Sequence, residues 1–221
     1  MPQRTALVTG AARGIGAAIG AALRAQDVRV LDAGRAELNL SDSASITSWL
    51  GRHGGGVDIL VNNAGINVLN DIEAITPEDW AAMVQVDLTA PLQLIQGVSP
   101  GMRARGWGRI VNISSVNGQK GQFGQVNYST AKAGLHGFTM ALAQEVAAKG
   151  VTVNTVSPGY IGTDMVKAIR PDVLEKIVAG VPAKRLGQPE EIASIIAWIA
   201  SDEGGYATGA DFSLNGGLHM G

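Results

Sequence analysis

Three glycines constrain this chain more tightly than any other feature. The segment Thr9-Gly10-Ala11-Ala12-Arg13-Gly14-Ile15-Gly16 follows a short apolar run at residues 6–9 and opens a helical pattern over 14–25. A strand that turns through glycine into a helix offers unpaired helix N–H groups and a positive dipole end to a pyrophosphate. Gly10 allows the tight turn, Gly14 lets backbone approach the phosphates, and Gly16 permits close helix–strand packing.

The rest of the chain repeats that alternation. Apolar runs predict strands at 6–9, 28–32, 59–62, 109–114, 151–157 and 211–214. Helical periodicity falls at 14–25, 44–51, 77–98, 128–149, 164–179 and 189–200. Thr76-Pro77 with Asp79, and Pro189 with Glu190 and Glu191, read as helix starts. Strands alternating with helices predict an α/β, doubly wound (Rossmann), mostly parallel sheet of six to seven strands with helices on both faces. We expect a single dinucleotide-binding and catalytic domain over 1–221. Between strands two and three the pattern is shortened. Only a few residues separate 28–32 from a candidate strand at 37–40, whereas a parallel crossover needs about 10–12 residues, so 37–40 is either a short strand reached by a bare loop or not a strand.

Composition removes several functions. The net charge of −2 gives no general pull toward nucleic acid or anionic membrane. The absence of cysteine excludes thiolate nucleophiles and cysteine-based zinc sites, and three scattered histidines make no metal site. With no leader pattern at the start and no apolar run of about 20 residues, the expected location is the cytoplasm.

The Gly10-x-x-x-Gly14-x-Gly16 spacing resembles the short-chain dehydrogenase/reductase family. Asn62-Asn63-Ala64-Gly65, the set Ser115…Tyr128-x-x-x-Lys132, and Ser157-Pro158-Gly159 match it further along, so the resemblance covers essentially the whole chain. It implies a nicotinamide cofactor held by Gly10, Arg13, Gly14, Ile15 and Gly16 at the phosphates, and by Asn39 and Leu40 at the adenine. Asn63, Ala64 and Gly65 would line the adenosine ribose, and Pro158, Gly159, Ile161 and Thr163 would wrap the nicotinamide. The position that selects the cofactor falls on Gly34, with Arg35 next. Arg13 and Arg35 together favour the 2′-phosphate of NADP(H). A two-residue shift in the shortened loop would instead put Asp32 on the ribose and select NAD(H).

Tyr128 and Lys132, four residues apart in a helical pattern, share one face. A phenol with the ordinary pKa near ~10 is a poor acid–base catalyst at neutral pH, and a neighbouring ammonium favours its ionised form. The resemblance implies that Tyr128 gives a proton to a carbonyl oxygen, Ser115 holds that oxygen, and Lys132 binds the nicotinamide ribose. Strand alternation turns Ser114 to the opposite side. At the family's fourth catalytic position, normally Asn, this chain carries Asp87. A carboxylate near Lys132 would oppose phenolate formation and shift the pH profile; alternatively Asp87 faces solvent or a helix neighbour.

From Gly106 through Lys132 and on to the C-terminal Gly216-Gly217-Leu218-His219-Met220-Gly221, the chain is similar to the family's acetoacetyl-CoA reductases of polyhydroxybutyrate synthesis. That implies NADPH-dependent reduction of a 3-oxoacyl-CoA to the (R)-3-hydroxy thioester, with Gln122, Phe123, Gln125 and Tyr160 shaping the pocket. A homotetramer is implied too. Yet no Lys or Arg occurs between Arg52 and Arg103, leaving Lys120, Lys167, Arg170 and Lys184 as partners for the phosphates of coenzyme A. Another small ketone or alcohol as substrate, and a nucleotide-binding scaffold with little turnover, are the alternatives. The contrast between the halves leads to the expectation that the chain joins two family members near residues 100–106.

Overall fold

Alternation along each strand sorts its side chains onto two faces of one sheet. In the computed structural model, which describes residues 3–167 and 169–221 apart from the side chains of Met165 and Lys167, six strands lie parallel. They are β1 (Thr5–Val8), β2 (Arg29–Leu31), β3 (Ile59–Asn62), β4 (Gly108–Ile113), β5 (Val151–Pro158) and β6 (Asp211–Leu214), in the order β2-β1-β3-β4-β5-β6. Leu7, Leu60, Ile110 and Val153 stand in one register row and face α2 (Ser43–His53), α4 (Ala90–Arg105) and α6 (Val126–Val146). Ala6, Val8, Ile59, Val61, Val111 and Val156 face the other way, onto α1 (Gly14–Ala25) and α9 (Pro189–Ala200). Complete burial of each Leu or Ile contributes roughly 1.5–3 kcal/mol. The fold is therefore the expected doubly wound, Rossmann-like one.

The order of strands reverses at β1, which has β2 on one side and β3 on the other. Such a switch point leaves a crevice at the carboxyl ends of the strands, and the glycine turn opens onto it.

Two expectations about helices need correction, and the alternative at 37–40 is decided. Residues 37–40 form no strand: Gly34 carbonyl accepts from the N–H groups of Glu37 and Leu38 in a turn. Leu38 still enters the core and Leu40 packs against it, so the apolar pattern marked burial without marking a strand. The sheet has six strands, with β2 at its edge. The helix read over 164–179 is two, α7 (Asp164–Lys167) and α8 (Pro171–Gly180), since Pro171 cannot continue a helix and starts the second. A short helix, α5 (Val116–Lys120), was not anticipated. The helix read over 77–98 is α3 (Pro77–Val84), then a π-helical turn at Gln85–Thr89, then α4. The Thr76–Asp79 and Gln188–Glu191 capping boxes both form. No helix among the described residues is long and apolar enough to cross a membrane.

Candidate active site

The glycine turn is packed so closely that its residue types are dictated. Gly10 and Gly14 have φ of +69° and +54°, a region that favours glycine. A Cβ on Gly16 would overlap the Gly10 carbonyl oxygen and lie 2.7 Å from Asn63 Nδ2. Asn63 braces this turn rather than hanging over it: its Nδ2 donates to the Thr9 carbonyl at 2.9 Å. Thr9 Oγ1 accepts from the N–H groups of Asn63 and Ala64. Helix α1 begins with Arg13 as its N-cap and no side chain capping it. Its first N–H groups thus remain for an anion. Thr163 packs 3.2 Å from where a Gly14 side chain would start, so the segment after β5 closes over the same turn.

Arg13 and Arg35 are exposed, the latter in the turn that follows β2. Asp32, the rival for the ribose, is ion-paired with Arg24 of α1. Asn39 Oδ1 accepts from Ser41 N–H and so shapes the loop into α2.

The catalytic candidates converge at the carboxyl end of β4. Below them lies a buried polar row in register, Asn62, Asn112 and Thr155. Asn62 Nδ2 donates to Asn112 Oδ1 at 2.9 Å, and Asn112 Nδ2 donates to Thr139 Oγ1 of α6 at 3.0 Å. Thr155 Oγ1 donates to the same Thr139 oxygen at 2.9 Å. These bonds fix the rotation of α6 on the sheet, because leaving such groups unpaired in the core would cost about 1–3 kcal/mol each. Two and three turns back along that helix stand Lys132 and Tyr128 on the same side.

Lys132 is 4% exposed, with Nζ donating to the Ile113 carbonyl at 3.0 Å. Asp87 comes from the π-helical turn and is buried, not turned to solvent. Its Oδ2 lies 3.2 Å from Lys132 Nζ and its Oδ1 accepts from Ile66 N–H at 2.8 Å. Oδ2 makes no well-aligned hydrogen bond, so this contact is chiefly charge on charge. Gly65 presses on the pair: a Cβ there would lie 3.0 Å from Asp87 Oδ2 and 3.2 Å from Lys132 Nζ. The Tyr128 ring centre is 5.6 Å from the ammonium, and Tyr128 is half-buried. Ser115 caps α5, its Oγ accepting from Asn117 N–H at 3.1 Å, next in the chain to Ile113 and Ser114.

Ser114 Oγ turns into α6 and donates to the Lys132 carbonyl at 2.8 Å. Lys132 is therefore stitched to the end of β4 at both its side chain and its main chain. Sequence reasoning missed Ile113, Thr139 and His136 in this scaffold. A polar residue inside a buried apolar strand, such as Asn112, was the available signal.

The substrate candidates divide. Phe123 is 88% exposed and Tyr160 half-buried, but Gln125 is buried with its Oε1 accepting from Asn117 Nδ2 at 2.8 Å. Gln122 is exposed, its Oε1 3.3 Å from Lys120 Nζ. Pro158 ends β5, and Gly159 packs on Asn215 at a distance that excludes a side chain. Ile161 makes a parallel bridge with Gly187, and its carbonyl accepts from Thr163 N–H at 2.7 Å. Among the cations, Arg170 pairs with Asp172 and Lys184 Nζ donates to the Ala179 carbonyl. The Lys167 side chain lies outside the described residues.

The chain is similar to known proteins along its whole length. A family model described as enoyl-(acyl carrier protein) reductase matches residues 32–219. An acetoacetyl-CoA reductase of Cupriavidus necator is 56% identical, with the whole of both chains covered. That of Shinella zoogloeoides is 47% identical over 97% of this chain and 98% of its own. The 3-oxoacyl-[acyl-carrier-protein] reductase FabG of Escherichia coli is 43% identical, covering 98% of each. The Cupriavidus alignment runs over 246 positions against 221 residues here, so this chain is the shorter. Because one relative aligns from end to end, the expected junction near 100–106 has no support.

Proposed function

This chain belongs to the short-chain dehydrogenase/reductase family, oxidoreductases that use a nicotinamide cofactor, and on that premise we propose that it reduces a 3-oxoacyl-CoA, acetoacetyl-CoA foremost, to the (R)-3-hydroxyacyl-CoA with NADPH. The reading is carried by one observation, the seat of Lys132. Its ammonium is fixed between the Ile113 carbonyl and Asp87 beside the Tyr128 ring, at the strand end that bears Ser115.

The crevice suits a dinucleotide. Gly16 is closed to any side chain, and the uncapped start of α1 offers N–H groups where Gly14 and Thr163 meet. Gly10, Gly14, Ile15 and Gly16 would hold the pyrophosphate, Arg13 and Arg35 a 2′-phosphate, and Lys132 the nicotinamide ribose. When bound there, the cofactor supplies hydride to the substrate's carbonyl carbon. Ser115 Oγ then donates a hydrogen bond to the carbonyl oxygen, and Tyr128 donates its hydroxyl proton to that oxygen as charge develops. Lys132 has three donors, of which Ile113 takes one and Asp87 draws another. The third is available to a ribose hydroxyl, and the ammonium's charge favours the phenolate left on Tyr128.

We place the whole of 1–221 in one catalytic domain, acting in the cytoplasm as a homotetramer. The outer face of α6, with Thr130, Ala133, Gly137, Met140 and Ala141 exposed, is small and uncharged enough to pack against a second copy.

The test is steady-state reduction of acetoacetyl-CoA with NADPH and with NADH, beside a panel of small ketones. The proposal requires NADPH-dependent turnover of the thioester that Tyr128→Phe abolishes while cofactor binding persists. Preference for a ketone, or no turnover with any substrate, would overturn it.

A further inference from the structure

His136 stands on α6 one turn beyond Lys132, and its ring joins three elements. Its Nε2 is 2.9 Å from Ser114 Oγ at the end of β4, and its Nδ1 is 3.6 Å from Asp211 Oδ2 on β6. Asp211 also accepts from Ser157 Oγ of β5 at 2.8 Å and from Gln119 Nε2 of α5 at 2.6 Å. The series Ser, His, Asp has the order of a hydrolase triad, but Ser114 is 3% exposed and its oxygen already contacts the Lys132 carbonyl. It cannot reach a substrate, so the series does other work.

Counting protons shows what that work is. Ser114 has one hydroxyl proton and two neighbours within 2.9 Å, the Lys132 carbonyl oxygen and His136 Nε2. With two protons on the imidazole, every contact is satisfied: Nδ1–H faces Asp211, Nε2–H donates to Ser114 Oγ, and Ser114 donates to the Lys132 carbonyl. With one proton, either Nδ1 meets the carboxylate with a lone pair, or Ser114 turns its proton to Nε2. The second choice releases the Lys132 carbonyl. Among the described residues, Asp211 is the charged group that faces the ring from the elements packed around it. Lys132, on the helix itself, turns its ammonium away toward Asp87.

We propose that His136 is a positioning residue for the reaction, holding Lys132 at its place against β4 through Ser114. A ring that donates through Nε2 keeps both stitches between Lys132 and the strand end that bears Ser115. A ring that accepts there leaves only the bond from Nζ to Ile113. The hydrogen-bonding form of His136 thereby bears on the geometry of Tyr128, Lys132 and Ser115. This inference rests on the proposed reduction by Tyr128.

The experiment compares His136→Leu, His136→Gln and Ser114→Ala in the full chain, with Tyr128→Phe alongside. Misplacement of a catalytic group by a fraction of an ångström commonly costs about tenfold or more in rate. His136→Leu is expected to lower kcat by about that factor with little change in either KM. His136→Gln, which keeps a donor toward Ser114, regains most of kcat. Ser114→Ala reads the same link without changing the ring, and decides the matter should His136→Leu not fold. Parent-like kcat in His136→Leu and Ser114→Ala would overturn the proposal. So would a loss in His136→Leu that His136→Gln does not relieve. If Tyr128→Phe retains turnover, the reaction assignment itself has failed; if it abolishes turnover and the other variants behave as the parent, only the role of His136 has.

Discussion

Asp87 Oδ2 and Lys132 Nζ face each other at 3.2 Å with side-chain exposures of 0% and 5%. A carboxylate so placed shares the ammonium with the Tyr128 ring on its other side. Its charge holds Lys132 in position but opposes a negative charge on the phenol. Asp87→Asn keeps an acceptor for Ile66 N–H while removing that charge. Because one partner of a buried ion pair is left behind, unfolding by urea should become easier by up to about 3–5 kcal/mol. An unchanged unfolding midpoint in the variant would mean that the pair does not stabilise the fold.

Gly16→Ala tests the crevice. The new methyl would overlap the Gly10 carbonyl oxygen and crowd Asn63 Nδ2, a conflict worth roughly 1–3 kcal/mol. The turn must open to relieve it. NADPH fluorescence titration should give a Kd raised by about tenfold or more, since 1.4 kcal/mol is a factor of ten. Gly51→Ala on α2, with nothing within 4 Å of the new atom, should leave the Kd within about twofold and serves as the control.

Much of this architecture was legible in the sequence, and for physical reasons. Gly14–Ala25 and Pro189–Ala200 match their predicted spans because amphipathic periodicity and a proline start act locally. Strands 59–62 and 211–214 match because they are bounded by turn residues. The grouping of Tyr128, Lys132 and Asp87 followed from helical spacing and motif order. Leu38 and Leu40 left a strand and a loop equally open because burial and strand formation produce the same apolar pattern. The link from Asp211 to Ser114 was invisible, since it joins residues 97 positions apart whose neighbours depend on sheet order. Gln125 looked like a cleft residue and is instead consumed by Asn117, a partner that only the geometry of α5 brings near.

The start of α9 gives a pH-dependent stability. Arg185 donates to both Glu191 oxygens and Gln188 N–H donates to one of them, holding the carboxyl at about 2 rather than 4.5. A carboxyl depressed on folding contributes stability that is complete above its unfolded value near 4.5 and is lost as pH falls toward about 2. Glu191→Gln keeps much of the capping box but cannot titrate. Urea unfolding between pH 3 and pH 6 should therefore show a shallower acid decline in the variant, with the two chains converging at the lowest pH. Parallel declines would mean that the exposed pair is screened to insignificance.

Cofactor choice turns on which charge meets the adenosine ribose. Asp32 is engaged by Arg24, leaving Arg13 at the start of α1 and Arg35 in the turn after β2 as exposed cations on that side. A charge-assisted hydrogen bond from either to a 2′-phosphate is worth about 1.5–3 kcal/mol. Arg13→Ala and Arg35→Ala should each lower kcat/KM for NADPH by about tenfold or more. NADH carries no phosphate there, so its kcat/KM should stay within about twofold. The discriminating quantity is the ratio of the two, which cancels any general damage to the fold. A ratio unmoved by both substitutions would assign the ribose to Asp32, whose carboxylate would then have to leave Arg24 on binding. Arg24→Ala separates that case: it frees Asp32 and should raise NADH efficiency only if Asp32 is the selector.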